Sequence, residues 1–117
     1  MAFQRGDIVE VPFQIPHHGR IEKHPAIILS NDDVYDQDEC YICAMMTTST
    51  RVDQFTFLVE DEMLRNPNTK DFAQVRCHLI SYVLKSQIVP NSQRNRMKGD
   101  YVDKLVEYIS VVALSTH

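Results

Sequence analysis

Two imidazoles, His18 and His24, stand six positions apart in a polar stretch that also carries His17, Arg20 and Lys23. An unperturbed imidazole titrates at about 6.5, so two of them can serve as base and acid together near neutral pH. The guanidinium and ammonium groups beside them suit an anion such as a phosphate. A second run, Thr47-Thr48-Ser49-Thr50, offers four hydroxyls, of which Thr47 can donate to the same anion; Gln74 and Arg76 add an amide and a guanidinium. A plainer reading stays open beside each. His17 and His18 suit a solvated loop, His24 a strand-start residue satisfied by the backbone, Thr47 a β-branched strand end, and Gln74 with Arg76 a polar dimer face.

The elements that must position these groups are short and mostly extended. Residues 25–30, Pro-Ala-Ile-Ile-Leu-Ser, are apolar without alternation and end in Asn31-Asp32-Asp33, which reads as a central strand buried on both faces with Pro25 at its first position. After the turn Arg5-Gly6-Asp7, residues 8–13 form a strand with Val9, Val11 and Phe13 on one face; Pro12 marks an edge or a bulge. Residues 31–39 read as a polar, acidic connection and residues 40–48 as a second long apolar strand. Residues 54–59 alternate, with Phe55, Phe57 and Val59 on one face, and residues 60–65 make one helical turn with acids first and Arg65 last.

Residues 72–80 alternate again. Ala73, Val75, Cys77 and Leu79 face one way, and Gln74, Arg76 and His78 the other. Residues 82–89 give another short apolar segment ended by Pro90, and residues 93–98, with Arg94, Arg96 and Lys98, a charged edge strand that resists aggregation. A helix starts at Gly99-Asp100, with Asp100 as N-cap and Asp103 three residues on. Val102, Leu105, Val106, Ile109, Val112 and Ala113 make its apolar stripe. This pattern predicts a mainly β fold: a small antiparallel barrel or strongly bent sheet with a C-terminal amphipathic α-helix, as a single domain over residues 1–117.

Composition narrows the function. With 44% apolar and 24% charged residues the chain is globular rather than disordered. Twelve basic against sixteen acidic residues, a net charge of −4, argue against a protein that coats DNA nonspecifically and leave room for a local basic patch. The N-terminal residues form no apolar leader core, and no run of about 18 apolar residues occurs, so a cytoplasmic location is expected. Three cysteines, an odd number, make no disulfide framework. Cys40 and Cys43 have C-x-x-C spacing but sit in a strand, where residues three apart point to opposite faces; they read, with Cys77, as small buried hydrophobes rather than as metal ligands.

Four motifs in order, Arg5-Gly6-Asp7-Ile8-Val9, then residues 23–32 from Lys23-His24-Pro25 to Asn31-Asp32, then Met46-Thr47-Thr48-Ser49, then Gln74-Val75-Arg76, followed by the amphipathic helix, resemble the MazF/PemK family of bacterial toxin–antitoxin modules. The resemblance implies an SH3-like barrel that forms a homodimer. It implies metal-independent, cofactor-free endoribonuclease activity on single-stranded RNA, and an antitoxin protein whose tail occupies the RNA-binding surface and with which the toxin takes part in DNA binding. The family's site uses an arginine directly before the Pro that opens the central strand and a threonine or serine at the end of the next strand. Those positions here are His24 and Thr47, with Thr48 and Ser49 as neighbours; His18 matches a loop histidine of some PemK-like members.

Metal-free cleavage of RNA needs a base for the 2′-hydroxyl, donors for the crowded phosphorane and an acid for the leaving 5′-oxygen. The expected catalytic set is therefore His24 as acid or phosphate-stabilising group, His18 as base and Thr47 as orienter. The expected substrate contacts are Arg20, Lys23, Thr48, Ser49, Gln74 and Arg76. Because His24 stands in the arginine's place, a barrel that binds RNA or an antitoxin without cutting stays open as a second reading; a third, of another class, is a related barrel that poisons a protein target such as DNA gyrase, as CcdB-type toxins do.

Overall fold

The computed structural model describes residues 3–17 and 19–116. Six strands, β1 (Asp7–Gln14), β2 (Ile21–Ile28), β3 (Cys40–Thr47), β4 (Thr56–Leu58), β5 (Gln74–Leu84) and β6 (Asn95–Arg96), lie in one antiparallel sheet in the order β4-β5-β3-β2-β1-β6. The sheet is bent and open: β4 and β6 stay as separate edges, so the fold is the strongly bent sheet of the expectation rather than a closed barrel. Two helices accompany it, α1 (Asp32–Asp38) and α2 (Gly99–Val112).

The central strand is β2, though it begins at Ile21 rather than at Pro25. Between Ile21 and Pro25 it pairs with β1 alone. From Ala26 it pairs with β1 and β3 together, and Ala26, Ile27 and Ile28 are fully buried. Pro25 thus stands one residue before the doubly paired segment, where a missing N–H removes no bond to β3. Pro12 lies where β1 has β2 on one side only, since the two-residue β6 reaches no further than Asp7 and Ile8. The turn before β1 needs its glycine: Gly6 has φ +96°, and a Cβ there would lie 2.7 Å from the Met97 carbonyl oxygen.

Alternation along the strands divides the core in two. Ile8, Ile27, Ala44, Met46, Val75 and Cys77 face α2, which covers them with Val102, Leu105 and Ile109. Val9, Val11, Phe13, Ala26, Ile28, Tyr41, Cys43 and Met45 line the opposite face. Tyr41 stacks on Tyr35 of α1, its ring meets Phe3 edge-on, and burial raises its pKa above the usual phenol range.

Four expectations need correction. The acidic stretch 31–39 is a helix, because the Asn31 side chain accepts from the Asp33 and Val34 N–H groups and its dipole favours the acids of the first turn. The N-cap position of α2 is Lys98, with no side-chain cap; Asp100 lies inside the first turn and Asp103 pairs with Arg5 at 2.9 Å. The two segments 72–80 and 82–89 are one long strand, β5, followed by a short 3₁₀ turn at Lys85–Gln87.

Alternation along that strand also breaks. Between Ala44↔Ile80 and Met46↔Val75, Met45 alone opposes residues 76–79. This large bulge turns Leu79 away from the Val75 side to pack with the second core. Cys43 is buried and Cys40 only partly so, as opposite faces of β3 require, and burial pushes the Cys43 and Cys77 thiols up to about 12 and about 11. Among the described residues, no helix is long and apolar enough to cross a membrane.

Candidate functional site

The second face of the sheet is apolar in its middle and polar at one end. There Thr47 closes β3, paired with Gln74 at the start of β5, and Arg76 pairs with Thr56 of β4. Gln74 is 1% exposed and its amide is fully used. Its Nε2 donates to the carbonyls of Ser49 (2.9 Å) and Arg51 (2.6 Å). Its Oε1 accepts from the Thr56 hydroxyl and from Arg76 Nη1, both at 2.9 Å. One buried side chain therefore pins the loop after β3 to β4 and β5.

That loop is also stapled locally. Thr47 Oγ1 accepts from the Ser49 N–H (3.2 Å) and Ser49 Oγ from the Arg51 N–H (3.3 Å). Since Thr47 accepts there, its own hydroxyl hydrogen is left to donate. Arg76 is held by Asp53 through two bonds, Nη2 to Oδ2 at 2.7 Å and Nη1 to Oδ1 at 3.1 Å. Asp53 Oδ1 also accepts from the Phe55 N–H, and the bonds from Arg76 and Phe55 hold this half-exposed carboxyl down at about 2. Thr47, Ser49, Arg51, Asp53, Gln74 and Arg76 line a groove of about 330 Å³ that also borders Met45 and Val52.

His24 lies on β2 on the same face as Val11 and Ala26. β2 and β3 pair as Ala26↔Met45, Ile27↔Ala44 and Ile28↔Cys43, and this pairing ends two residues short of His24 and Thr47. Its Nε2 stands 3.6 Å from Glu22 Oε1, and the side chain is 23% exposed. Alternation sends Lys23 to the other face of β2, where its partner position is Pro12, and Arg20 contacts Glu22 at 3.4 Å in the hairpin. Thr48 borders a separate cavity with Pro25, Glu10 and Arg94. The structure thus brings Thr47, Ser49, Gln74 and Arg76 together, and leaves His24, on the neighbouring strand, with Arg20, Lys23 and Thr48 outside the lining of the groove. His18 lies outside the described residues.

Two residues at this end were not on the expected site. Asp53 is one; nothing in the pattern around it revealed that Arg76, on another strand, would be its partner. His78 is the other, and its signal was visible in the alternation of Gln74, Arg76 and His78. Its ring stacks on Phe55 at 4.3 Å and 27°. Partial burial, and then the Arg76 charge, hold its imidazole below the ordinary histidine value, with Asp53 acting in the opposite sense. Among the described residues, no three His, Cys, Asp or Glu side chains gather as a metal site.

A bent sheet with a helix across one face and a braced polar groove on the other makes a small, mainly β protein. Residues 4–112 match the family model of the PemK-like, MazF-like toxins of type II toxin–antitoxin systems, and the chain belongs to that family. No significant match exists among curated proteins. Among solved structures, MazF from Deinococcus radiodurans (Form-I) is similar with a TM-score of 0.72 at 12% identity, covering 94% of each chain. An endoribonuclease from a mycobacterial species in complex with its cognate antitoxin gives 0.68 at 14% identity, over 95% of this chain and 94% of that one. The MazE–MazF complex of D. radiodurans (Form-III) gives 0.68 at 12%, again over 94% of each chain. At these identities the likeness is one of fold.

Proposed function

We propose that this toxin is a metal-independent endoribonuclease that cuts single-stranded RNA at specific sites. The observation that carries the reading is the polar end of the sheet: a Thr47 hydroxyl hydrogen left to donate, set beside Gln74 and Arg76 at the end of the strand that neighbours the one carrying His24, in a chain of this family. In the reaction a base takes the 2′-hydroxyl proton, the 2′-oxygen bonds to phosphorus, and the bond to the 5′-oxygen breaks as that oxygen takes a proton. The products are a 2′,3′-cyclic phosphate and a 5′-hydroxyl. Thr47 orients the phosphate, His24 stabilises it or donates the proton, and His18 is the base.

An antitoxin is the expected protein partner, as in the mycobacterial and MazE–MazF structures. A homodimer has a surface to use: Ile42 opposes Tyr82 and Cys40 opposes Leu84 in the β3–β5 ladder, so exposed apolar side chains share one face there, Tyr82 being 69% exposed. One observation favours a second reading, binding without cutting: the Arg76 guanidinium is already held by Asp53, and His24 offers no fork for a phosphate.

The test is a long single-stranded RNA incubated in EDTA with the parent and with Thr47→Ala, the product ends being mapped. Site-specific cuts by the parent alone are expected. No cutting by a folded parent that still binds RNA would put the second reading in its place.

A further inference from the structure

The groove beside Thr47 shares Met45 with a second cavity, bordered by Phe13, Gln14, His78 and Leu79. Its setting comes from the β5 bulge. Residues 76–79 stand opposite Met45 alone, which takes His78 out of the regular ladder. Phe55 backs the imidazole on one side and does not border the cavity, which His78 itself lines. The backing ring is fixed. Phe55 packs against the α2-side core, its carbonyl accepts from the Cys77 N–H at 2.9 Å, and its N–H is bonded to Asp53.

His78 remains exposed. An imidazole braced on one face and open beside a recess of mixed character, with Phe13, Met45, Leu79 and Ile80 as its apolar wall and the Gln14 amide and Ser81 as its polar edge, is a poor use of an aromatic pair if the pair serves only packing. It suits a flat, unpaired base, because single strands are held by stacking bases on aromatic faces.

We propose that His78, braced by Phe55, is the stacking platform for an unpaired RNA base that enters this cavity while the adjoining phosphate lies in the groove beside Thr47 and Arg76. The inference rests on the ribonuclease reading and adds a residue that positions the substrate and contributes to the choice of site. His78 titrates below its ordinary range, so near neutral pH its ring offers a neutral aromatic face.

The experiment uses the full chain and 2′-O-methyl oligonucleotides of the mapped cleavage sequence, which lack the attacking hydroxyl, with 2-aminopurine at each position in turn. One position is expected to be quenched on binding the parent, and that quenching is expected to vanish in His78→Ala. On cleavable RNA, His78→Ala should raise KM about tenfold, the scale of one lost base stack. His78→Phe, which keeps a ring but no titratable group, should restore both signals. Quenching unchanged in His78→Ala, or a His78→Phe protein as defective as His78→Ala, overturns the platform while parent cleavage leaves the ribonuclease reading standing. A parent that neither cuts nor binds RNA removes both.

Discussion

The two parts of the candidate site are built in opposite ways. On the β3–β4–β5 side, Gln74, Thr56, Arg76 and Asp53 form a network of bonds between 2.6 and 3.4 Å, most of them donated by charged or buried groups. On the β1–β2 hairpin side, Glu22 contacts His24 at 3.6 Å and Arg20 at 3.4 Å, long pairs between half-exposed or exposed side chains. Such surface pairs are worth only about 0–1 kcal/mol. The difference separates shape from chemistry. The braced side fixes a groove, and the hairpin side holds His24, the group proposed to act on the phosphate. Substitutions on the two sides should then have opposite signatures, with large stability losses on the first and large activity losses on the second.

The largest stability effect belongs to Gln74. Removing its amide in Gln74→Ala takes the donor from the Ser49 and Arg51 carbonyls and one bond each from Thr56 and Arg76. A buried polar group left unpaired costs about 1–3 kcal/mol, so a loss of roughly 2–4 kcal/mol is expected. Urea unfolding should show a lower midpoint at unchanged slope. A loss below about 0.5 kcal/mol, the ordinary range of surface changes, would remove the claim that this residue fixes the loop.

Asp53 should matter less to stability and more to pH and salt. Its carboxyl is held at about 2 in the folded protein by bonds from Arg76 and Phe55, against about 3.9 in an unfolded chain. A lowered folded value means the unfolded state binds more protons between the two. The stabilisation is therefore complete above about pH 4 and is lost as the pH falls towards 2. Asp53→Asn should remove that acid-limb loss. It should also free the Arg76 fork and take a negative charge from the groove, strengthening RNA binding and steepening its salt dependence by about one phosphate contact. An unchanged salt slope would mean that Arg76 does not reach a phosphate even when released.

How much of this the sequence could carry depends on range. The apolar run at Ala26-Ile27-Ile28, the alternation of Phe55, Phe57 and Val59, and the stripe of α2 are local patterns, and each lies buried or packed where its periodicity placed it. The side chains gathered at the groove were legible in part, since Gln74, Arg76 and His78 alternate on one face of β5. What was not legible depends on partners distant in the chain. Asp53 and Arg76 are separated by 23 residues and Gln74 and Thr56 by 18, and no local rule names such pairs. The bulge opposite Met45 was hidden for a similar reason: it is a property of two strands, and only β5's own alternation could be read. Residues 31–39 misled because five acids there suggest a loop, whereas Asn31 caps a helix that takes Asp32 and Asp33 into its first turn and leaves the stretch on its exposed side.

The smallest stability effect, and the sharpest test of the hairpin side, comes from His24. With one long contact to Glu22, His24→Ala should change stability by less than about 0.5 kcal/mol. If His24 acts on the phosphate, the same change should lower kcat by about 10²-fold or more, the usual scale for one acid–base group. His24→Arg then separates its two possible roles. An arginine keeps its charge at every working pH and offers a fork, but it cannot give up a proton. Stabilisation of the phosphorane alone would let His24→Arg cut at least as fast as the parent, without the decline that an imidazole shows as rising pH removes its charge. Proton donation to the leaving 5′-oxygen would leave His24→Arg as slow as His24→Ala. His24 stands where the family resemblance implies an arginine, so the first result is the expected one. A His24→Ala protein with full activity would return the site to the braced side alone, with Thr47 and Arg76 as its only groups for the phosphate.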